Sequence, residues 1–430
     1  MGDTLVIDEG RMRQITIFNR VPALALVALC LYFATAASPQ GTAANQTKSV
    51  VTATAAFLNS LNPEQREKIQ FPFTPEKTAT AAKFARTGGG RGPGGPVGGG
   101  NGPGGVARGS SDPGRGGGGP GEDRKGPGGG PGGGPGMGAG FGFVGEQYGK
   151  AVWSNYPVSD VPRPGLTLGR LSPAQREAET HMMQVLLSAK GYQKVLETMG
   201  SDQALSDAGT PFSSGVDSYT IGIFGQPSLT SPWMLQYGGH HLALNITIAA
   251  DRGVITPTMT GAQPSVYTSK GKTVRALAQE NDKAFALLNA LDENQRKQAI
   301  LNYEIGDLVL GPGHSGEMIQ PEGVKASALN ERQRAMLLDV ISEWAGIVND
   351  TYAVPRMAEI KGDLNDTYFA WSGPTTHEPG RNGSAYYRIQ GRKVIIEFSP
   401  QGVGGDSTNH VHTVYRDPTN DYGVKFTGAI

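Results

Sequence analysis

The sequence predicts an α+β protein: a largely antiparallel sheet packed with several α-helices, forming a single main domain interrupted by a disordered Gly-rich insertion. Three observations carry this. Stretches rich in aromatic and β-branched residues read as strands. Apolar residues at helical spacing mark helices, but these do not alternate regularly with the strands, which argues against a doubly wound sheet. One long run of Gly and Pro breaks the chain.

In chain order, Arg11, Arg13 and Arg20 precede the apolar run "VPALALVALCLYFATA", with small residues at Ala34, Ala36 and Ala37. This is the order of a secretory signal over residues 1–37, cleaved after Ala36 or Ala37, and it implies a periplasmic or secreted protein. The run is shorter than the roughly 20 residues of a spanning helix, so an uncleaved N-terminal anchor is the alternative. The single cysteine, Cys30, lies inside the run, and Leu29 before it is larger than the residue a lipoprotein signal places there. The mature chain therefore has no disulfide, no thiolate ligand and no cysteine nucleophile. Lys+Arg and Asp+Glu both number 38, so no net field recruits nucleic acid or an anionic membrane. The expected partner is a small-molecule ligand or substrate, and the only membrane contact would be through an uncleaved N-terminus.

Residues 38–87 read as an N-terminal helical segment of the main domain, 88–142 as the insertion and 143–430 as the main α+β domain. In the insertion, repeats such as "GGGRGPGGPVGGGNGPGG" bury too little apolar surface to offset their ordering entropy, so it reads as a spacer. Its arginines lack the interleaved aromatics that would stack nucleic-acid bases. Four segments, "LNPEQR" at 61, "LSPAQR" at 171, "LDENQR" at 291 and "LNERQR" at 329, place Asn, Ser or Asp three residues before Gln. That is a capping box, and each segment predicts a helix start. Met182, Val185, Leu186 and Met199 stripe the helical stretch after the second, and Leu277, Leu288 and Leu291 line the one before the third. Residues 218–225, 232–248, 367–373, 384–390, 393–399 and 409–417 read as strands, and "RIQGRKV" as a hairpin turn.

The chemistry is expected on histidines. In "NHVHTVYRD" a strand would point His410 and His412 to one face, an arrangement that can chelate. In "YGGHHLALNITI" a strand would send His240 and His241 to opposite faces, so only one could join them. Three imidazoles with positions left open suit a divalent metal: Zn, Fe, Mn or Cu. Glu397, late in "VIIEF", and Glu280, an acid among apolar neighbours whose pKa burial would raise, are the candidate bases. Arg416, on the face of His412, is the candidate anion grip. No nucleophile elbow, phosphate loop, dinucleotide fingerprint or two-histidine zinc-protease helix is present.

Taken together, "GGHHLALNITI", "IIEFSPQ" and "NHVHTVYRDPTNDYG", with "GYQKVLETM", "IGIFGQP", "YFAWSG" and "YYRIQG", resemble the bacterial family called domain of unknown function 3500. The resemblance runs from about residue 47 to Gly423, the insertion excepted. The family pattern includes His240, His241, Glu280, Glu397, His410, His412, Arg416 and Asp417, and its name supplies no reaction. Three readings stand: a metal-dependent hydrolase or oxidase of a small polar substrate, a non-catalytic extracytoplasmic ligand-binding module, and a surface protein tethered by its Gly-rich segment.

Overall fold

A computed structural model describes residues 43–74, 80–84, 143–210 and 215–428. The expected signal sequence and Gly-rich insertion lie outside these residues. The helices are α1 (Ala43–Ser60), α2 (Pro63–Ile69), α3 (Pro173–Leu186), α4 (Ala189–Asp207), α5 (Ala278–Ala290), α6 (Glu293–Ala299), α7 (Glu331–Ala345) and α8 (Asp350–Gly362). The first strands are β1 (Gln70–Phe71), β2 (Thr80–Phe84), β3 (Phe143–Tyr148), β4 (Ala151–Trp153) and β5 (Leu166–Thr167). Then come β6 (Thr220–Phe224), β7 (Trp233–Gly239), β8 (Leu242–Ala249), β9 (Arg252–Val254), β10 (Thr258–Ala262), β11 (Val266–Ser269) and β12 (Lys272–Arg275). The last are β13 (Val324–Lys325), β14 (Tyr368–Ser372), β15 (Tyr386–Gln390), β16 (Ile395–Pro400) and β17 (Val411–Arg416). No helix among the described residues is long and apolar enough to cross a membrane.

The main sheet runs β1-β6-β7-β8-β10-β17-β16-β15-β14-β13 and reads the same from either edge. Each half has two helices, a short strand, two more helices and a four-strand antiparallel run, and the halves meet at the β10–β17 pair. Edge details repeat: β1 lies parallel and β5 antiparallel to β6, while Ile300 bridges parallel and β13 antiparallel to β14. All four predicted capping boxes form, and they do more than start helices. Gln65 and Gln175 exchange side-chain bonds and also donate to Arg170 O and Ser60 O. In the second half Gln295 and Gln333 do the same, donating to Ala328 O and Ala290 O. The glutamine of each box thus ties two helix starts together, a long-range role that its local spacing does not reveal.

Alternation along the strands gives the sheet two unlike faces. Ile221, Leu235, Leu244, Ile396 and Val411 face the helices and form the main core with Phe57, Leu288, Leu337 and Trp344. Each such buried side chain contributes about 1.5–3 kcal/mol. Helix α1 belongs to this layer, with Val50 and Phe57 fully buried and Gln46 Nε2 donating to Val185 O at 2.6 Å. The other face carries Phe224, Met234, Met259 and Val414 under a lid from β4 and the C-terminal turn. His410 and His412 alternate in step with Val414 and Arg416, so they open onto this second face.

The fold is α+β with a large, mostly antiparallel sheet. One expectation is corrected. Residues 232–248 are two strands, not one: Gly239 pairs with Leu242, and His240–His241 form the reversal between β7 and β8. Gly238 and Gly239 permit the tight approach, because a Cβ on either would lie within 3 Å of Leu242 O or the Tyr219 ring. β10 and the β11–β12 hairpin escape strand reading because Pro257 and Pro264 flank β10 and Gly271 interrupts the hairpin.

Candidate metal centre

His241 stands in the left-handed region, φ 60°, at the hairpin tip, and its ring stacks on that of His240 with centroids 3.7 Å apart. The two rings therefore lie side by side, and the opposite-face geometry expected of a strand does not apply. The tip is held from beneath by Tyr219, whose hydroxyl donates to His240 O at 2.6 Å, and by Arg163, which donates to Gly239 O at 3.1 Å. Gly261 N–H, at the end of β10, donates to His241 O at 2.7 Å. The hairpin is thereby fixed to the strand that pairs with β17.

Across that pairing, His241 meets the start of β17. His241 Nε2 lies 3.2 Å from His410 Nε2, which lies 3.1 Å from His412 Nε2. These three histidines form a group that could hold a metal ion. Metal–nitrogen bonds of roughly 2.1 Å separate neighbouring ligand atoms by about 3.0–3.4 Å in octahedral or tetrahedral geometry, and the spacings of His410 to its two neighbours, 3.2 and 3.1 Å, fall in that range.

Proton placement points the same way. His410 Nδ1 faces Val403 O at 3.0 Å, and a carbonyl only accepts, so the proton sits on Nδ1 and the lone pair on Nε2. Burial, with the charge of His412 next, pushes His410 down to about 3, so it is neutral near neutral pH. His412 Nδ1 lies 3.4 Å from the Asn155 side-chain amide nitrogen and 3.7 Å from Asp307 Oδ1. Burial and the neighbouring His240, His410 and His412 hold His241 well below the usual imidazole range. Its Nδ1 is buried without a hydrogen-bond partner, so turn geometry and stacking fix this ring in place of an outer-shell bond.

His240 stays out of the group. Its Nδ1 lies 2.7 Å from Asp202 Oδ1 on α4, and burial, opposed by Asp202, lowers its pKa. Asp307 is the acid nearest the group, with its side chain 49 % exposed beside buried His412, which marks the way in from solvent. Burial would raise its carboxyl, but the neighbouring His412 and hydrogen bonds from Leu308 N and Gln401 outweigh that and hold it below the usual carboxylate range. The sequence signal for Asp307 was slight: an acid in "YEIGDLVLGPG", a stretch with neither helical nor strand period.

Two of the other expected site residues, Glu397 and Arg416, anchor the loop that delivers Asp307. Glu397 is buried on an interior strand and accepts Val309 N at 2.9 Å, Leu310 N at 2.7 Å and the Tyr386 hydroxyl. Arg416 donates through Nε to Leu310 O at 2.7 Å and through a terminal nitrogen to Gly311 O. It also grips Glu146 in two-point fashion and reaches Asp421 Oδ2 at 3.2 Å. Glu146 in turn accepts Gly313 N at 2.7 Å. The carboxylate that Arg416 holds is therefore one of the protein's own. Glu280 sits elsewhere, in a buried ion cluster where Lys194 bridges it to Glu343. Asp417 pairs with Arg356 at 2.8 Å. His314 pairs with Glu317 in a surface loop.

The model of the DUF3500 family, described as a protein of unknown function, matches residues 143–424. The chain belongs to this family. No curated protein and no solved structure matches the chain. Membership covers β3 through the C-terminal turn and so includes every residue of the histidine group, but it carries no activity with it.

Proposed function

We propose that this DUF3500 protein binds one divalent transition-metal ion through His241, His410 and His412, and that the ion keeps open positions toward Asp307 for water and a small polar substrate. The observation that carries this is the convergence of three buried imidazoles whose ligand atoms lie within 4.8 Å of one another, with His410 Nδ1 facing a carbonyl so that its Nε2 points inward as a lone pair.

Three buried imidazoles with an open face suit zinc, with iron, manganese and copper also compatible. The ion would supply Lewis acidity and an acidified water, which supports metal-dependent hydrolysis, or oxidation with a redox metal. Asp307 is placed to accept a proton at the mouth and to orient His412. Export through an N-terminal signal fits a protein of this kind, with an N-terminal anchor as the alternative. The Nε2 spacing is also within hydrogen-bond range, which keeps alive a non-catalytic ligand-binding module built on a histidine network.

Elemental analysis of the purified protein, beside a His410→Ala/His412→Ala variant, separates the two. About one equivalent of metal, lost in the variant while its circular dichroism is unchanged, is the expected result. A folded wild type that stays metal-free after incubation with zinc, iron, manganese and copper salts in turn would overturn it.

A further inference from the structure

A cavity of about 410 Å³ opens between α3, α4, β7 and the β11–β12 hairpin, within the size range of small-molecule sites. Met183, Met199 and Tyr237 line it together with Tyr192 and Tyr267, and Arg176 and Glu179 enter from α3. One Arg176 terminal nitrogen is buried with no hydrogen-bond partner. A buried donor left unpaired is destabilising. Glu179, one turn on, is 5 % exposed; burial raises its carboxyl, with Arg176 and bonds to Tyr237 and Thr180 pulling the other way.

The second half of the molecule shows that the scaffold does not require this polarity. The matched capping boxes set Arg334 against Arg176, Leu337 against Glu179 and Ile341 against Met183. The strand registers set Ile389 against Tyr237. Arg334 is satisfied there, donating to Ala326 O at 3.3 Å and Asn365 Oδ1 at 2.6 Å. Leu337, Ile341 and Ile389 are fully buried in the main core. The same architecture is filled by apolar side chains in one half and left hollow, tyrosine-walled and charged in the other.

We infer that the α3–α4 cavity is a binding site for a small organic acid with a flat ring, whose carboxylate pairs with Arg176 while the ring lies among Tyr192, Tyr237 and Tyr267. A guanidinium matches a carboxylate in two-point geometry, and the tyrosines present flat apolar area. At the rim Lys270, in the β11–β12 turn, and Asp207, at the end of α4, contribute opposite charges, so the buried Arg176 is the group that favours an anion. The inference stands on this cavity alone and is independent of the metal reading.

The test is calorimetric titration of the full chain with benzoate, 3-phenylpropionate and 4-hydroxyphenylacetate, each beside its neutral amide. At least one acid should bind about tenfold more tightly than its amide. Arg176→Gln should erase that difference, and Glu179→Leu, which installs the residue of the other half and removes the carboxylate that competes for Arg176, should not weaken acid binding while raising the melting temperature. Equal binding of acid and amide, acid binding unchanged in Arg176→Gln, or no acid bound at millimolar concentration would each overturn the inference. Melting curves of both variants confirm that a loss of binding is not a loss of fold.

Discussion

The two halves of the sheet carry matching hairpins with opposite fates. In the first half the β7–β8 tip is His240–His241; in the second, the β15–β16 connection holds Arg392 and Lys393. In both, an aspartate on or just past a helix reaches the tip: Asp202 on α4 to His240 at 2.7 Å, and Asp363, just after α8, to Lys393 at 3.1 Å. The first pair is buried, whereas the second is about a third exposed, at 30 % and 34 %. Matching the pairs Leu244–Thr258 and Ile396–Tyr415 puts Gly253 and Ile255 where His410 and His412 stand. One scaffold position is thus an ordinary surface ion pair, worth roughly 0–1 kcal/mol. The other gathers three imidazoles that no stability argument requires. The comparison teaches that caps and strand registers specify the scaffold, while the chemistry is added where the halves differ.

The largest expected effect concerns an anchor that only one half possesses. Glu146→Ala leaves the buried Arg416 guanidinium with Asp421 as its one remaining carboxylate partner and frees Gly313 N, so it should cost about 3 kcal/mol in chemical denaturation. It should also loosen the loop that carries Asp307, seen as faster amide exchange at Val309 and Leu310. A loss below about 1 kcal/mol would mean that the loop is held without this cluster.

A smaller effect compares like with like. Gln333→Ala and Gln175→Ala each remove one member of a reciprocal glutamine pair, and both should destabilise. Gln333 is 3 % exposed and its partner Gln295 8 %, while Gln175 is only partly buried. The second-half variant should therefore lose more, about 1–3 kcal/mol against roughly 1. Equal losses would show that burial of the pair contributes nothing beyond the caps.

The smallest is a drift with pH. Burial, opposed by Arg416 and aided by Glu146, raises Asp421 to about 7, above its value in the unfolded chain. The folded state therefore holds this proton more tightly. The stabilisation is complete below pH 4 and is lost as pH rises through about 7. Asp421→Asn, which stays neutral, should gain on the wild type in melting temperature between pH 4 and 8. A constant difference across that range would place the ionised form of Asp421 as the native one.

Much of the scaffold is legible locally. A capping box is a four-residue event, and a strand rich in Val, Ile, Tyr and Phe announces itself, so helix starts and strands such as "KVIIEFS" and "SAYYRIQ" are found without a partner in view. The site is harder. His410 and His412 are readable because period-two spacing on one strand fixes their common face. His241 is misplaced because "YGGHHLALNITI" has the composition of an uninterrupted strand. The glycine pair before the histidines was the available sign of a reversal. Glu280, Glu397 and Arg416 look like site residues because they are charges among apolar neighbours, a pattern that ion pairs and loop anchors share with catalytic groups.

By itself the sequence determined the elements, their caps and the wealth of histidine, because these depend on contacts within a few residues. Only the tertiary structure decided that the halves match, that the glutamines of separate capping boxes clasp each other, and that a turn residue faces two strand residues about 170 positions later. Strand register sets such meetings, and register is chosen by the packing of whole sheet faces rather than by any short stretch of chain. The Nε2 atoms of His241, His410 and His412 come within reach because β10 pairs with both β8 and β17, a pairing written in none of the three histidines' own neighbourhoods.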